Sequence, residues 1–330
     1  MKKGFWSKLK KPIISLAPML DVTDSAFRQV IAKRGAPDVF FTWFVSADGL
    51  ASIGKDNLLP DLYFDPKERP IVAQIFGAKP ENFSIATKII KDLKFDGIDI
   101  NLGCPEKKVL KQNAGSALID NPRLAKKIIS ATIDASGGLP ESRKGAGLPV
   151  SVKTRLGNKT NVSIKWAKLL ASTEVSAITI HGRLAKDKSQ YPADWEQISA
   201  FAKAVKSVNP QILVFGNGDV KSIAEAESKA KQYNLDGIMI GRASFGNPWI
   251  FNKKISKSDL PPQKIIKALL EHLNLFNRLH QHRHFALMKK HFASYITGWS
   301  GAKQLRIKLM KVENYSQAKQ VLDSYLKKLD

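Results

Sequence analysis

The sequence predicts an α/β chain: a (β/α)8 barrel of the TIM type followed by a small all-α helical bundle domain. Three observations carry this. Eight short apolar, β-rich runs recur between residues 13 and 240, amphipathic stretches separate most of them, and from Gln263 onward only helical periods remain. A chain of 330 residues with 43% hydrophobic side chains is long and apolar enough to bury one large barrel plus an appendage.

The runs are 13–17, 39–43, 71–75, 97–101, 150–154, 177–180, 212–215 and 237–240. Eight is the number of parallel strands that closes a barrel. Helical apolar spacing marks 25–33, 80–93, 122–135, 162–170, 195–206 and 223–233, and several of these begin after Pro, Asp or Ser, as helix starts do. The Gly-rich, charged segment 137–148 follows a helix and precedes a strand, which assigns it to a tolerated loop on the face opposite the strand ends. Pro261 and Pro262 then punctuate the chain, and the expected division is a catalytic barrel over 1–252 and a helical domain over 253–330.

A formal net charge of +24 points to a polyanionic partner, nucleic acid or an anionic membrane surface, against the plain alternative of a lysine-rich composition. After residue 252 there are 16 Lys and Arg against five acidic residues, so the excess is concentrated in the helical part. No window reaches the ~18 uninterrupted apolar residues that span a bilayer, and a soluble chain is expected. The basic start, interrupted by Pro12, Ser15 and Pro18, is read as feeding the first strand. A single cysteine, Cys104, excludes an intrachain disulfide framework and fits a reducing cytoplasm.

In such a barrel the reacting groups sit on the loops after the strands. Here these positions hold Pro18 and Met19, Gln74 and Gly77, Asn101 with Gly103 and Cys104, Lys153 and Arg155, His181 and Arg183, Asn217, Gly218 and Asp219, and Gly241 with Arg242. Polar groups converging there are costly to bury unless a ligand pairs them, and a planar polar ligand suits them. The turns FGNGD and MIGRAS are Gly-rich, so backbone N–H groups approach a phosphate closely with Arg242 beside them. Together these read as a site for flavin mononucleotide (FMN). Lys153, aided by His181, would stabilise negative charge at the pyrimidine edge of the reduced ring, with Gln74 hydrogen-bonded to it. Cys104, between a Gly and a Pro at a strand end, would act as nucleophile or general acid, the acid role being the sharper one over a flavin.

Seven motifs then resemble the dihydrouridine synthase family in its own order: LAPMLDVTDSAFR (16–28), QIFG (74–77), DINLGCP (99–105), VKTRLG (152–157), HGR (181–183), GNGD (216–219) and GR (241–242). The resemblance implies that NADPH reduces the flavin, that hydride passes to C6 of a uracil in tRNA, and that Cys104 protonates C5. It implies cofactor contacts from Pro18, Met19, Leu20, Gln74, Lys153, His181, Asn217, Gly218, Asp219, Gly241 and Arg242, and substrate contacts from Asn101 and Arg183. HFASYITG (291–298) and AKQLR (302–306) resemble the family's helical tRNA-binding domain, with Lys289, Lys290, Lys303, Arg306, Lys308 and Lys311 as phosphate contacts. A stacked uracil would have to be extruded into the barrel mouth. The chain departs from the family at Leu20, Leu102, Asn113 and the 137–148 insertion, and none of these removes a catalytic group.

The five histidines of the helical part, at 272, 280, 282, 284 and 291, are expected to add to a basic surface. His280 and His284 have the spacing of one helix face, but no carboxylate or Cys completes a metal set, so no metal is expected. A monomer is expected. Two other readings remain: an FMN barrel oxidoreductase acting on a free pyrimidine, like dihydroorotate or dihydropyrimidine dehydrogenases, and a non-catalytic tRNA-binding protein. The first leaves the charge of the helical part unexplained, and the second leaves Cys104, Lys153 and His181 unexplained.

Overall fold

The computed structural model describes residues 4–137 and 147–329, so most of the 137–148 segment lies outside the described residues. Eight parallel strands appear at the expected places: β1 Ile13–Leu16, β2 Phe40–Ser46, β3 Ile71–Phe76, β4 Gly97–Leu102, β5 Val150–Gly157, β6 Ala177–Leu184, β7 Leu213–Asn217 and β8 Gly237–Ile240. Their order, β1-β8-β7-β6-β5-β4-β3-β2, leaves β1 and β2 at the two ends of the sheet. A parallel bridge from Ser15 to Val39 joins those ends, with Asp38 N donating to Ile14 O at 2.8 Å and Leu16 N to Val39 O at 3.1 Å. The sheet is thus a closed (β/α)8-type ring without exposed edges.

Strand alternation sends every second side chain into the ring. Toward the N-terminal end the interior is apolar, built from Ile13, Val39, Phe41, Val72, Phe215 and Met239. The 3₁₀ turn Gly4–Lys8 closes this end, burying Trp6 with its ring 5.4 Å from that of Phe215. Outside the ring, the helices bury their apolar stripes on the strands. Pro122–Ser136, for example, buries Ala125, Ile128, Ile129, Thr132 and Ile133, and it starts where Asn121 caps Leu124 N at 3.2 Å ahead of Pro122. Between β2 and β3 the chain forms only a four-residue helix, Ala47–Leu50, and three 3₁₀ turns.

Beyond β8 the helices Pro262–Leu279, Leu287–Tyr295, Ala302–Lys311 and Tyr315–Leu326 share a second core around Leu269, Leu273, Phe292, Leu305, Leu309 and Leu322. This module docks on the barrel helix Ser25–Arg34. Glu271 bridges Lys33 (2.9 Å) and Arg34 (2.7 Å), and Arg283 pairs with Asp61 while its guanidinium stacks over Trp43 at 5.1 Å. No helix among the described residues is long and apolar enough to cross a membrane.

The histidines of this module depart from expectation. His272, His280 and His291 are 0, 2 and 1% exposed, the first and last packed on Phe27 and His280 on Trp43 and Phe276, instead of adding to a basic surface. Helical spacing alone did not separate a buried stripe from an exposed one. His280 sits buried just past the end of Pro262–Leu279, whereas His284 is exposed beyond it, so the two share no face. Among the described residues no group of His, Cys, Asp or Glu is placed to hold a metal ion.

Burial holds His280 and His291 neutral, with pKa values near 3, and pushes His272 well below its ordinary range. A histidine whose folded pKa lies below its unfolded value contributes stability above the unfolded pKa that is lost as pH falls. Asp24, raised to about 7 by burial in the same junction, acts in the opposite sense between its unfolded value near 4 and about 7. Replacing His291 by Gln should therefore flatten the acid side of the stability curve, by about 1.4 kcal/mol per pH unit between pH 6.5 and 3. Denaturant titrations of both proteins at pH 5 and 7 check this.

Candidate active site

At the C-terminal end of the ring lies a cleft of about 1000 Å³. Pro18, Met19, Lys153, His181, Arg183, Asn217, Gly218, Asp219, Gly241 and Arg242 all line it, so most of the sequence-derived site is gathered in one place. Register explains this. Asn101 is paired with Lys153, Arg155 with His181, His181 with Asn217, and Asn217 with Met239, so the inward groups of neighbouring strands stand side by side.

Four of the expected residues stand differently. Leu20 is 42% exposed and outside the cleft lining. Gln74, Asn101 and Cys104 are buried beside the cleft, which Pro105 and Glu106 reach from the Cys104 loop. Asn101 Oδ1 accepts from Gly103 N (3.1 Å) and Cys104 N (2.9 Å), folding the loop back onto its strand. Gly115, at φ +63°, supports it from behind, and a Cβ there would sit 2.7 Å from Cys104 O.

Cations dominate the lining. Burial, with the neighbouring Arg155, lowers Lys153 to about 8, so it stays mostly protonated near neutral pH. Burial, with Arg183, lowers Arg155 to about 10. His181 is pushed well below its ordinary range by burial and by Arg155, Lys153, Arg183 and Arg242, which makes it neutral rather than a second cation beside Lys153. Arg183 Nη1 lies 3.0 Å from His181 Nε2, and a guanidinium only donates. Nε2 therefore accepts and the ring proton sits on Nδ1.

Asp219 balances these charges. Its carboxylate pairs with both Arg183 and Arg242 and accepts from Ala193 N at 2.8 Å, and these partners hold its pKa below the ordinary value against the cost of burial. Its side chain is thus spent on protein, and only its backbone faces an anion without repulsion. Gly218 has φ +132°, and a Cβ there would lie 2.5 Å from that of Ala193, so this turn requires glycine. Asn217 Nδ2 donates to Met239 O at 2.7 Å, tying β7 to β8.

Burial raises the Cys104 thiol above its ordinary pKa, although the Glu106 backbone N–H, Arg155 and Lys153 pull it down. A thiol in this position stays protonated near neutral pH, as a proton donor must and a nucleophile or metal ligand must not.

Two residues with a direct hold on the site were given no role by the sequence reading, where Arg155 stood only as a strand-end position and Asp99 only within a motif. Arg155 lines the cleft, and its Nε donates to Gly103 O (3.0 Å) while Nη1 reaches Leu184 O (3.1 Å) and Lys188 O (3.0 Å). Asp99, 1% exposed, binds Gln74 and Ser151. Both were within reach of strand alternation, because Arg155 lies two residues beyond Lys153 and Asp99 two residues before Asn101 on the same inward faces. The segment Lys188, Ser189, Gln190, Tyr191 and Pro192 also lines the cleft and carries no periodic signal.

These features fit a flavin mononucleotide. The cleft has room for it, and the cations suit an anionic phosphate and an electron-rich ring. Solved structures similar to this chain include morphinone reductase (TM-score 0.53, 11% identity, 78% of this chain and 90% of that one) and 2-naphthoyl-CoA reductase (0.55, 11%, 77% and 51%). At such identities the likeness concerns the fold. A probable tRNA-dihydrouridine synthase of Staphylococcus aureus (strain MRSA252) is 37% identical over all of this chain and 98% of its own length. The probable tRNA-dihydrouridine synthase 2 of Bacillus subtilis (strain 168) is 37% identical over 99% of this chain and 98% of its own. The family model for dihydrouridine synthase matches residues 15–330, and the chain belongs to that family.

Proposed function

We infer that this chain is a flavin-dependent tRNA-dihydrouridine synthase that reduces a tRNA uracil across its C5–C6 bond, with NADPH as the source of electrons. Full-length family membership carries the reading, and a protonated thiol beside a cation-lined cleft supports it. A bound FMN supplies hydride chemistry. The chain's own residues do the rest. Pro18, Met19, Lys153, His181, the backbone of Asn217, Gly218 and Asp219, and Gly241 with Arg242 would hold the cofactor. Arg183, locked by Asp219 and His181, and Asn101 would meet the uracil.

Hydride addition at C6 leaves negative charge that spreads over C5 and the neighbouring carbonyl. Cys104 then transfers its proton to C5, and solvent returns one to the sulfur. Burial suits this role, because a thiol of raised pKa keeps its proton until an acceptor arrives.

In the helical module Lys303, Lys308 and Lys311 are exposed on one helix, whereas Lys289, Lys290 and Arg306 are half-buried and Arg306 also donates to Ile296 O at 3.1 Å. The exposed three are the stronger phosphate contacts. A single chain holds every group used here, so the protein is proposed to act as a monomer.

Mapping dihydrouridine in tRNA from cells with and without this protein tests the reading. A lost modification at one or more uridines is expected, whereas a colourless protein that takes up no FMN and leaves the map unchanged overturns it. Cys104→Ala should keep flavin and tRNA binding while uridine reduction falls by about 10²–10⁴-fold, the usual size of a general-acid contribution. Binding and single-turnover assays on one preparation separate the two effects. Neutralising Lys303, Lys308 and Lys311 together should weaken tRNA binding and lower the slope of log Kd against log salt by about 1 for each lost phosphate contact. Filter binding at several salt concentrations measures that slope.

A further inference from the structure

Below the cleft, Asp99 heads a chain of side-chain hydrogen bonds that ends on the Cys104 loop. Asp99 Oδ1 accepts from Ser151 Oγ at 2.5 Å and Oδ2 from Gln74 Nε2 at 2.7 Å. Gln74 Oε1 accepts from Asn101 Nδ2 at 3.0 Å. Asn101 Oδ1 then accepts the backbone N–H groups of Gly103 and Cys104 at 3.1 and 2.9 Å. Gln74 and Asp99 are 0 and 1% exposed, so water does not substitute for a lost link without entering the barrel.

We propose that Asp99 is a positioning residue, fixing through Gln74 and Asn101 which way two amides face and how the Cys104 loop is held. A primary amide presents a donor at one end and an acceptor at the other, and the two ends have nearly the same shape. By itself neither amide has a preferred direction. An ionised carboxylate only accepts, so the Nε2 end of Gln74 must face Asp99. The Oε1 end then faces Asn101, which must answer with Nδ2, and Asn101 Oδ1 is left for the two loop N–H groups. Reversing either amide sets donor against donor or acceptor against acceptor, and each such mismatch is buried away from water. Burial raises Asp99 to about 6 while the hydrogen bonds from Ser151 and Gln74 and the charge of Lys153 pull it down, so the carboxylate is mostly ionised near neutral pH.

A consequence follows for ligands. Gln74 and Asn101 each retain one N–H, Asn101 Oδ1 is saturated by the two loop N–H groups, and Gln74 Oε1 keeps one lone pair. What Asn101 offers beyond the network is therefore a donor, suited to a carbonyl oxygen or a ring-nitrogen lone pair. That use rests on the reductase reading above, but the orientation of the loop does not.

Cys104 is the chain's one cysteine, so its alkylation by iodoacetamide reports this loop directly in the full-length protein, without RNA or turnover. Rates measured across pH separate thiol access from thiol acidity. Asp99→Ala and Gln74→Ala should each speed the plateau rate by about tenfold, the equivalent of one net hydrogen bond, and the double variant should be no faster than either. Asp99→Asn retains an oxygen for Gln74 Nε2, with its own amide turned to Ser151 Oγ, and should react within about twofold of the unmodified protein. Additive single effects, an unchanged Asp99→Ala, or Asp99→Asn reacting as fast as Asp99→Ala would each overturn the proposal. Should Asp99→Ala not fold by circular dichroism, Asp99→Leu, of similar volume, takes its place in the cycle. A failed cycle leaves the flavin and tRNA reading standing, and an intact cycle in a protein that takes up no flavin leaves this one standing.

Discussion

The bridge from Ser15 to Val39 joins the two ends of the sheet, and without it β1 and β2 would each expose a row of unpaired backbone groups. Its consequences reach beyond stability. Within the ring β1 pairs directly with β8, which sets the loop after β1, carrying Pro18 and Met19, against the turn after β8, carrying Gly241 and Arg242, although more than two hundred residues separate them. Strand register then sets Asn101 beside Lys153 and His181 beside Asn217. An open sheet with the same strands would leave these groups spread along one edge. The Gly4–Lys8 turn and Trp6 seal the far end, so the cleft opens from one side only.

Around that cleft, like charges are held together at a cost. Burial first, and then the repulsion of neighbouring cations, depresses the pKa values of Lys153, Arg155 and His181. Asp219 relieves part of it by pairing with two of the guanidinium groups, and Asp99 offsets Lys153 from beneath. An anionic ligand would relieve more. The same cations tend to ionise Cys104, and burial outweighs them. The site therefore combines a positive field for its ligands with a thiol that keeps its proton.

Much of this was legible in the sequence because the barrel repeats a simple pattern. Each strand is a short apolar run between a helix stop and a Gly or polar turn, and all eight runs became strands whose ends moved by no more than a few residues. The cleft residues followed, since the position after a barrel strand is defined by topology alone. What the sequence hid depends on contacts between distant segments. Trp6 gives no local sign that it plugs a barrel, and the 47–69 segment lacks helical periodicity because it connects β2 to β3 with short turns. His272 and His291 read as surface cations until the module docks and removes them from water. Asp99 and Arg155 were visible at their strand ends but drew no role, because their neighbours Asn101 and Lys153 carry the chemistry that draws attention to those strands.

The helix Ser25–Arg34 links the cleft to the helical module, and it does so through side chains one residue apart. Arg28, fully buried, pairs with Glu68 and donates to Thr23 O (2.7 Å) and Tyr63 O (2.9 Å), while the Thr23 hydroxyl accepts from Met19 N at 2.9 Å in the cleft wall. Phe27, its neighbour, packs its ring 5.7 Å from His272 and 5.5 Å from His291 in the module. On the adjoining segment Asp61 ties Arg283 down. Removing one partner of a buried pair such as Arg28–Glu68 costs about 3–5 kcal/mol, because the other charge stays buried. Loss of either would therefore loosen the Met19 loop and the docked module together. On the proposed reading, a tRNA lying on the module would be held at a fixed distance and angle from Cys104, and the choice of uridine would be a property of the Ser25–Arg34 junction as much as of the cleft.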